Sequence, residues 1–190
     1  MSAKYVKVVF GTDSLAGDGF HYRVGEVNIA THWNPLADSP KEMGGFNFST
    51  EEKIFRFLVR GDTLYEVELP VDSEIVSVES ISAPNGVFRS NKIVLKNPCL
   101  VTDEVAMRLY EKSNLPEKSY FKALAGCAVR GYLKTAKKVI ADKVNSTNID
   151  LAIEEFLDFT RPDDSHSSSG ECSCTAEVLK ILLQIKDDNV

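Results

Sequence analysis

Long hydrophobic runs are missing from this sequence: stretches such as Ile181-Leu182-Leu183 span only a few residues, against the roughly 18 apolar residues of a membrane helix. No membrane partner is expected. The opening MSAKYVKVVFGTDS has neither the apolar stretch nor the small-residue cleavage site of a signal peptide, so secretion by that route is not expected. Positive charge is also short. Lysine and arginine number 22 against 28 acidic residues, a formal net charge of −6, which leaves no overall field to draw in phosphate backbones; nucleic acid is not the expected partner. Cysteine is sparse and unevenly used, with Cys99 and Cys127 in apolar segments and Cys172 and Cys174 in a polar one. That usage fits a reducing compartment better than a disulfide scaffold. Three histidines, His21, His32 and His166, supply no Ser-His-Asp order.

What is present is enough apolar material, 43% of 190 residues, for one filled core or two small modules. The fold class expected is α+β. A β-rich module over 1–98 holds a small mixed or antiparallel sheet and one short helix. Tyr5–Phe10 is a β-branched and aromatic run, and Thr63–Leu69 alternates Tyr65, Val67 and Leu69 with Glu66 and Glu68, the pattern of a half-solvated strand. Further short strands are expected at Glu74–Val78 and Lys92–Leu95, around the Pro84-Asn85-Gly86 turn, and an irregular loop at Asn34-Pro35 and Ser39-Pro40. The glycines of Gly44-Gly45 free the backbone before Phe46. Ser49 and Glu52 form a capping-box pattern that predicts a helix through Ile54, Phe55 and Leu58, ending at Arg60-Gly61.

From Pro98 the period changes to 3.6, and a helical module is expected over 99–160. Thr102 is the candidate cap of a helix whose apolar face holds Val105 and Leu109. Pro116 opens a second helix with Tyr120, Leu124, Cys127 and Ala128 on one face, Leu133 to Val144 form a third, and Asn148 caps a fourth. The polar, Ser-rich stretch 161–174 reads as a flexible linker. Thr175 then caps a terminal amphipathic helix over 175–190, whose stripe of Val178, Leu179, Leu182 and Ile185 must dock on the body or on a partner.

The strings GGFNFST, RGDTLYEVELP, NGVFRSNKI and NLPEKSY, spread over Gly44 to Phe159, resemble a group of uncharacterised proteins of mimivirus-like giant viruses of amoebae. The resemblance implies a viral protein in host cytoplasm or in the virion, and it carries no known activity.

Several residues are of types that carry chemistry. Arg23, Ser49-Thr50 and Glu66 with Glu68 stand in the order of the Arg, Ser-Thr-Ser and Glu-x-Glu elements that they resemble in NAD-dependent ADP-ribosyltransferases, with Glu51 where the second serine would be. In that family's chemistry the arginine holds NAD, the serine supports the nicotinamide pocket and a glutamate stabilises oxocarbenium character. Against it stands an ordinary capping box beside a charged strand face. His166, Cys172 and Cys174 fall short of four-ligand zinc spacing. Cys127 sits on an apolar helix face, where a thiol behaves as a small hydrophobe. His32 beside Trp33 reads as a pocket edge at most. Arg130, Lys134, Lys137, Lys138 and Lys143 form a basic stretch that reads as a solvated helix face balanced by Asp142 and Glu154. No complete catalytic motif emerges, and no cofactor is called for outside the NAD reading. The expectation is protein–protein interaction with a viral or host protein, the terminal helix being one docking element.

Overall fold

A computed structural model describes residues 4–14, 19–161 and 174–188. Among the described residues nine strands and six α-helices follow one another: β1 (Tyr5–Val9), β2 (Asp13–Ser14), β3 (Phe20–His21), β4 (Val27–Ile29), α1 (Pro40–Met43), β5 (Phe46–Thr50), β6 (Thr63–Glu68), β7 (Ile75–Ser77), β8 (Val87–Ser90), β9 (Lys92–Leu100), α2 (Asp103–Glu111), α3 (Glu117–Val129), α4 (Leu133–Lys143), α5 (Ile149–Phe159) and α6 (Thr175–Asp187). The α+β class is that of the sequence pattern. The chain divides into two compact units, Met1–Ile54 with Arg60–Leu100, and Phe55–Val59 with Val101–Val190.

The first unit carries a seven-stranded sheet in the order β4-β9-β6-β1-β5-β8-β7, all named pairs antiparallel, and a small β2-β3 hairpin. Antiparallel pairing follows from connections that hold no long crossover helix. The alternation read from Thr63–Leu69 is realised: Tyr65 and Val67 enter a core with Val9, Tyr22, Phe46, Phe48, Ile93 and Leu95, while Glu68 is exposed. β9 does not stop at Leu95, as the Asn97-Pro98 pair suggests. Asn97 takes a positive φ of 52° opposite an irregularity between Leu64 and Glu66, so the strand bulges there and pairs on to Leu100.

Two helix starts differ from expectation for one physical reason. Ser49 lies inside β5, and its hydroxyl donates to the Thr50 carbonyl at 3.2 Å, so its capping box with Glu52 is not built. The stretch Ile54–Arg60 is a 3₁₀ helix. A box of the same spacing is built ten residues earlier, where a loop was expected: Ser39 accepts from the Glu42 N–H at 3.3 Å and donates to Glu42 Oε2 at 2.9 Å, and Pro40 opens the single turn of α1. Strand pairing with β1 and β8 claims Ser49; nothing of the kind claims Ser39.

In the second unit α2, α3, α4, α5 and α6 pack around Phe121, Leu124, Val139, Phe156 and Leu182, all essentially buried. Thr102 caps α2 as expected, accepting from the Val105 N–H at 3.3 Å. Segment Phe55–Val59, expected in the β-rich module, belongs by its contacts to this unit: Phe55 meets the Tyr110 ring at 5.3 Å, and Val59 lies where a Cβ on Gly126 would sit. The N-cap position of α6 is Cys174 and not Thr175, without a side-chain capping bond, and the Cys174 N–H donates to the Ala128 carbonyl at 2.9 Å. Asn148 precedes α5 without capping it. Its amide instead donates to Glu117 Oε1 at 2.5 Å and to the Lys143 carbonyl at 2.9 Å, joining three helices.

Candidate functional site

The five residues of the transferase reading do not line one cleft. Arg23 belongs to a loop closed by buried Asn28, whose side chain bonds the Arg23 N–H, the Arg23 carbonyl and the Glu26 carbonyl at 2.9–3.1 Å. The Arg23 guanidinium faces solvent and meets Glu26 at 3.6 Å. Its neighbour Val24 bridges to Leu95 of β9, so β9, β6 and β1 lie between Arg23 and Ser49, about 19 Å of sheet at the usual strand spacing. Ser49 is buried, and Thr50, opposite Tyr5, points to the other face. Glu66 accepts from Lys4 at 2.6 Å and from Asn97 at 2.8 Å, which holds its carboxyl below the usual range, and Glu68 pairs with Lys96 at 2.6 Å. These pairs form an exposed charged groove of about 380 Å³.

Of the metal candidates, His166 and Cys172 lie outside the described residues. Burial raises the Cys174 thiol. Burial also pushes Cys127 well above the ordinary thiol value, the behaviour of an inert core cysteine. Among the described residues no cluster of three or more His, Cys, Asp or Glu gathers, and no helix is long and apolar enough to cross a membrane. The basic stretch is largely neutralised: Lys134 meets Glu104 at 3.7 Å, Lys137 meets Glu177 at 2.8 Å, Lys138 meets Asp142 at 2.7 Å, and Lys143 lies 4.4 Å from the Tyr120 ring centre.

The apolar stripe of α6 is consumed inside its own unit. Val178 and Leu182 are fully buried in a unit where α6 packs on α3, α4 and α5, while Leu179 and Ile185 are half-buried. Three exposed apolar side chains of the first unit stand together at the β4 edge, Val24, Val27 and Ile29 at 42%, 51% and 60% exposed, with Asn28 turned inward between the last two; Leu36, Val71, Ile75, Ile81 and Leu100 are exposed elsewhere in the unit. β4 has β9 on one side and, among the described residues, no further strand on the other. Natural edges are commonly blunted by lysine, proline or a bulge; the sequence of this one is Val-Asn-Ile.

Lys7 is the residue that sequence reasoning missed. It sits at the centre of β1, 4% exposed, opposite Tyr65. Its ammonium donates to the Asn47 carbonyl at 2.6 Å and to Asn47 Oδ1 at 2.7 Å, and lies 5.4 Å from the Tyr22 ring centre. No carboxylate is among these partners. Burial, and then the nearby Arg60 and Arg89 guanidinium groups, lower its pKa to about 7. A single lysine inside a β-branched run was the available signal, because period two puts Lys7 on the same side as Tyr5 and Val9.

Asn47 and Tyr22 also line a cleft of about 430 Å³. Gly44 and Gly45 shape its wall. With φ of 66° and 70°, they bring the chain so close that a Cβ on Gly44 would stand 2.4 Å from the His32 carbonyl oxygen. Arg89 Nη1 donates to the Gly44 carbonyl and fixes the same wall. His32 Nε2 meets the Glu42 carbonyl at 2.7 Å, and Trp33 donates to Glu74 at 2.8 Å.

Comparison with family models, with curated proteins and with solved structures finds no match.

Proposed function

We propose that this chain is a protein-binding module, working through the open edge of its sheet, with no catalytic step of its own. The observation that supports this reading is the β4 edge, where Val27 and Ile29 share one exposed face with Val24 beside them. An extended segment of a partner can add there as a further strand, main-chain hydrogen bonds supplying affinity and the apolar row supplying preference for alternate side chains. With the resemblance to giant-virus proteins, the partner proposed is a viral or host protein and the setting proposed is host cytoplasm or virion.

The test is a double substitution, Val27→Lys with Ile29→Lys. Both side chains are exposed, so the fold should stay within about 0.5 kcal/mol of wild type. Wild-type protein immobilised in lysate of infected amoebae should retain a partner that the variant releases. The partner should also slow hydrogen exchange at the Val27–Ile29 amides. A partner held equally by both proteins, with no change in exchange at β4, would refute edge addition.

A further inference from the structure

The cleft beside Lys7 has a composition at odds with its chain. The protein carries more acids than bases, yet among the described residues no carboxylate lines this cleft, while Lys41 and Arg89 both do. Of the charged side chains that line it among the described residues, both are cations. Lys41 is exposed and has no ion pair among the described residues. The Asn47 side-chain oxygen is taken by Lys7, and its amide nitrogen has no described partner. Behind this wall, Lys7 adds a buried cation with no carboxylate partner, in the field of Arg60 and Arg89.

The apolar part of the cleft is equally defined. Phe20, Tyr22 and Phe46 all line it and pack on one another with ring centres 4.8–5.5 Å apart. Offset and edge-on aromatic groups of this kind form a wall for a planar ring. The volume suits a small molecule.

We propose that this cleft binds a small aromatic anion, its ring against Phe20, Tyr22 and Phe46 and its phosphate or carboxylate group met by Arg89, Lys41 and the Asn47 amide. A guanidinium fork fits either oxyanion, and a bound anion would offset the mutual repulsion of Lys7, Arg60 and Arg89. The site is separate from the β4 edge and does not depend on it.

Binding should carry a proton signature. Among the described residues, the titratable or charged groups facing the Lys7 ammonium are Arg60, Arg89, Tyr22 and, on β6, Tyr65. None is a carboxylate, so an arriving anion favours the charged amine and draws a proton from solvent near neutral pH.

The full chain is titrated calorimetrically at neutral pH with phenyl phosphate, benzoate, inorganic phosphate and, as the uncharged control, benzyl alcohol. Phenyl phosphate or benzoate should bind, whichever is tighter naming the oxyanion, and benzyl alcohol should not. The binding heat should vary with buffer as protons are taken up, and Lys7→Met should abolish that variation. Arg89→Gln should weaken binding about tenfold and Lys41→Ala about threefold, about 1.4 and about 0.65 kcal/mol respectively. Arg89 also holds Gly44, so Lys41→Ala, whose side chain holds nothing, keeps the test valid if Arg89→Gln fails to fold. The proposal is overturned if neither aromatic anion binds below about 10 mM, if Lys41→Ala binds as wild type does, or if inorganic phosphate binds as tightly as phenyl phosphate.

Discussion

Lys7 donates two hydrogen bonds to one residue, Asn47, reaching its main-chain carbonyl at 2.6 Å and its side-chain oxygen at 2.7 Å. The register of β1 with β5 is recorded at Tyr5–Thr50 and Val6–Ser49, so the ammonium serves a main-chain oxygen just past those pairs. A buried amine is tolerated there because its donors are used, but its charge is not matched.

The pH dependence of stability follows from that mismatch. The folded pKa is about 7 against 10.5 for the ordinary side chain. Between those values the unfolded chain holds a proton that the folded chain has released, so this group makes stability rise with pH; below 7 both forms are protonated and the contribution is flat at its least favourable level. Urea unfolding at about pH 6.5 and about pH 8.5 should show a rise of about 2 kcal/mol in wild type relative to Lys7→Met. The contributions of Cys127 and Tyr22, raised by burial, are common to both proteins and cancel in the comparison. Equal slopes in the two proteins would contradict the lowered pKa.

Asp103 should matter to a helix that is not its own. α4 has no side-chain cap at Tyr132. Asp103 accepts from the Lys134 and Thr135 N–H groups at 2.8 and 2.9 Å and from the Thr135 hydroxyl at 2.6 Å. Asp103→Ala should cost about 1–2 kcal/mol by denaturant unfolding, the usual worth of a cap, and Asp103→Asn clearly less. Identical losses would mean that hydrogen bonding at this end of α4 is unimportant.

Gly61 is required by proximity. A Cβ there would stand 2.3 Å from the Val9 carbonyl carbon and oxygen, which are backbone and cannot swing away. Gly61→Ala should destabilise by about 2 kcal/mol or more, through forced backbone shifts, whereas an ordinary helix-stop glycine would cost less than half of that. Thermal unfolding of the two proteins decides it.

α6 is a structural member of the helical unit. Leu182 is fully buried, so Leu182→Ala should cost about 2–5 kcal/mol as a core truncation. A near-neutral result would return the helix to the role of a detachable docking element.

Legibility in the sequence tracked how local each cause is. Thr102 and the alternation around Tyr65 depend on neighbours within a turn or along one strand, and both are seen in the structure. The Ser-x-x-Glu pattern occurs at Ser39 and at Ser49, yet only Ser39 builds its box, because pairing with β1 and β8 fixes Ser49 in a strand. No local rule separates those two. Asp103 capping α4 joins residues more than thirty positions apart, and the Lys7 cluster is assembled from β1, β5 and β8, so neither was within reach of periodicity. Arg23, Ser49 and Glu66 stood in a suggestive order, and the fold set Ser49 and Glu66 on separate strands and Arg23 in a loop beyond β9.

Lys7 underlies both the pH dependence and the anion cleft, and its protonation is directly observable. With ¹³C-labelled lysine, the Lys7 Cε resonance, assigned by its loss in Lys7→Met, should titrate with a midpoint near 7 and move upward when phenyl phosphate is added. A midpoint near 10.5, the ordinary lysine value, would contradict a buried ammonium without a carboxylate partner and the cation-lined cleft built on it.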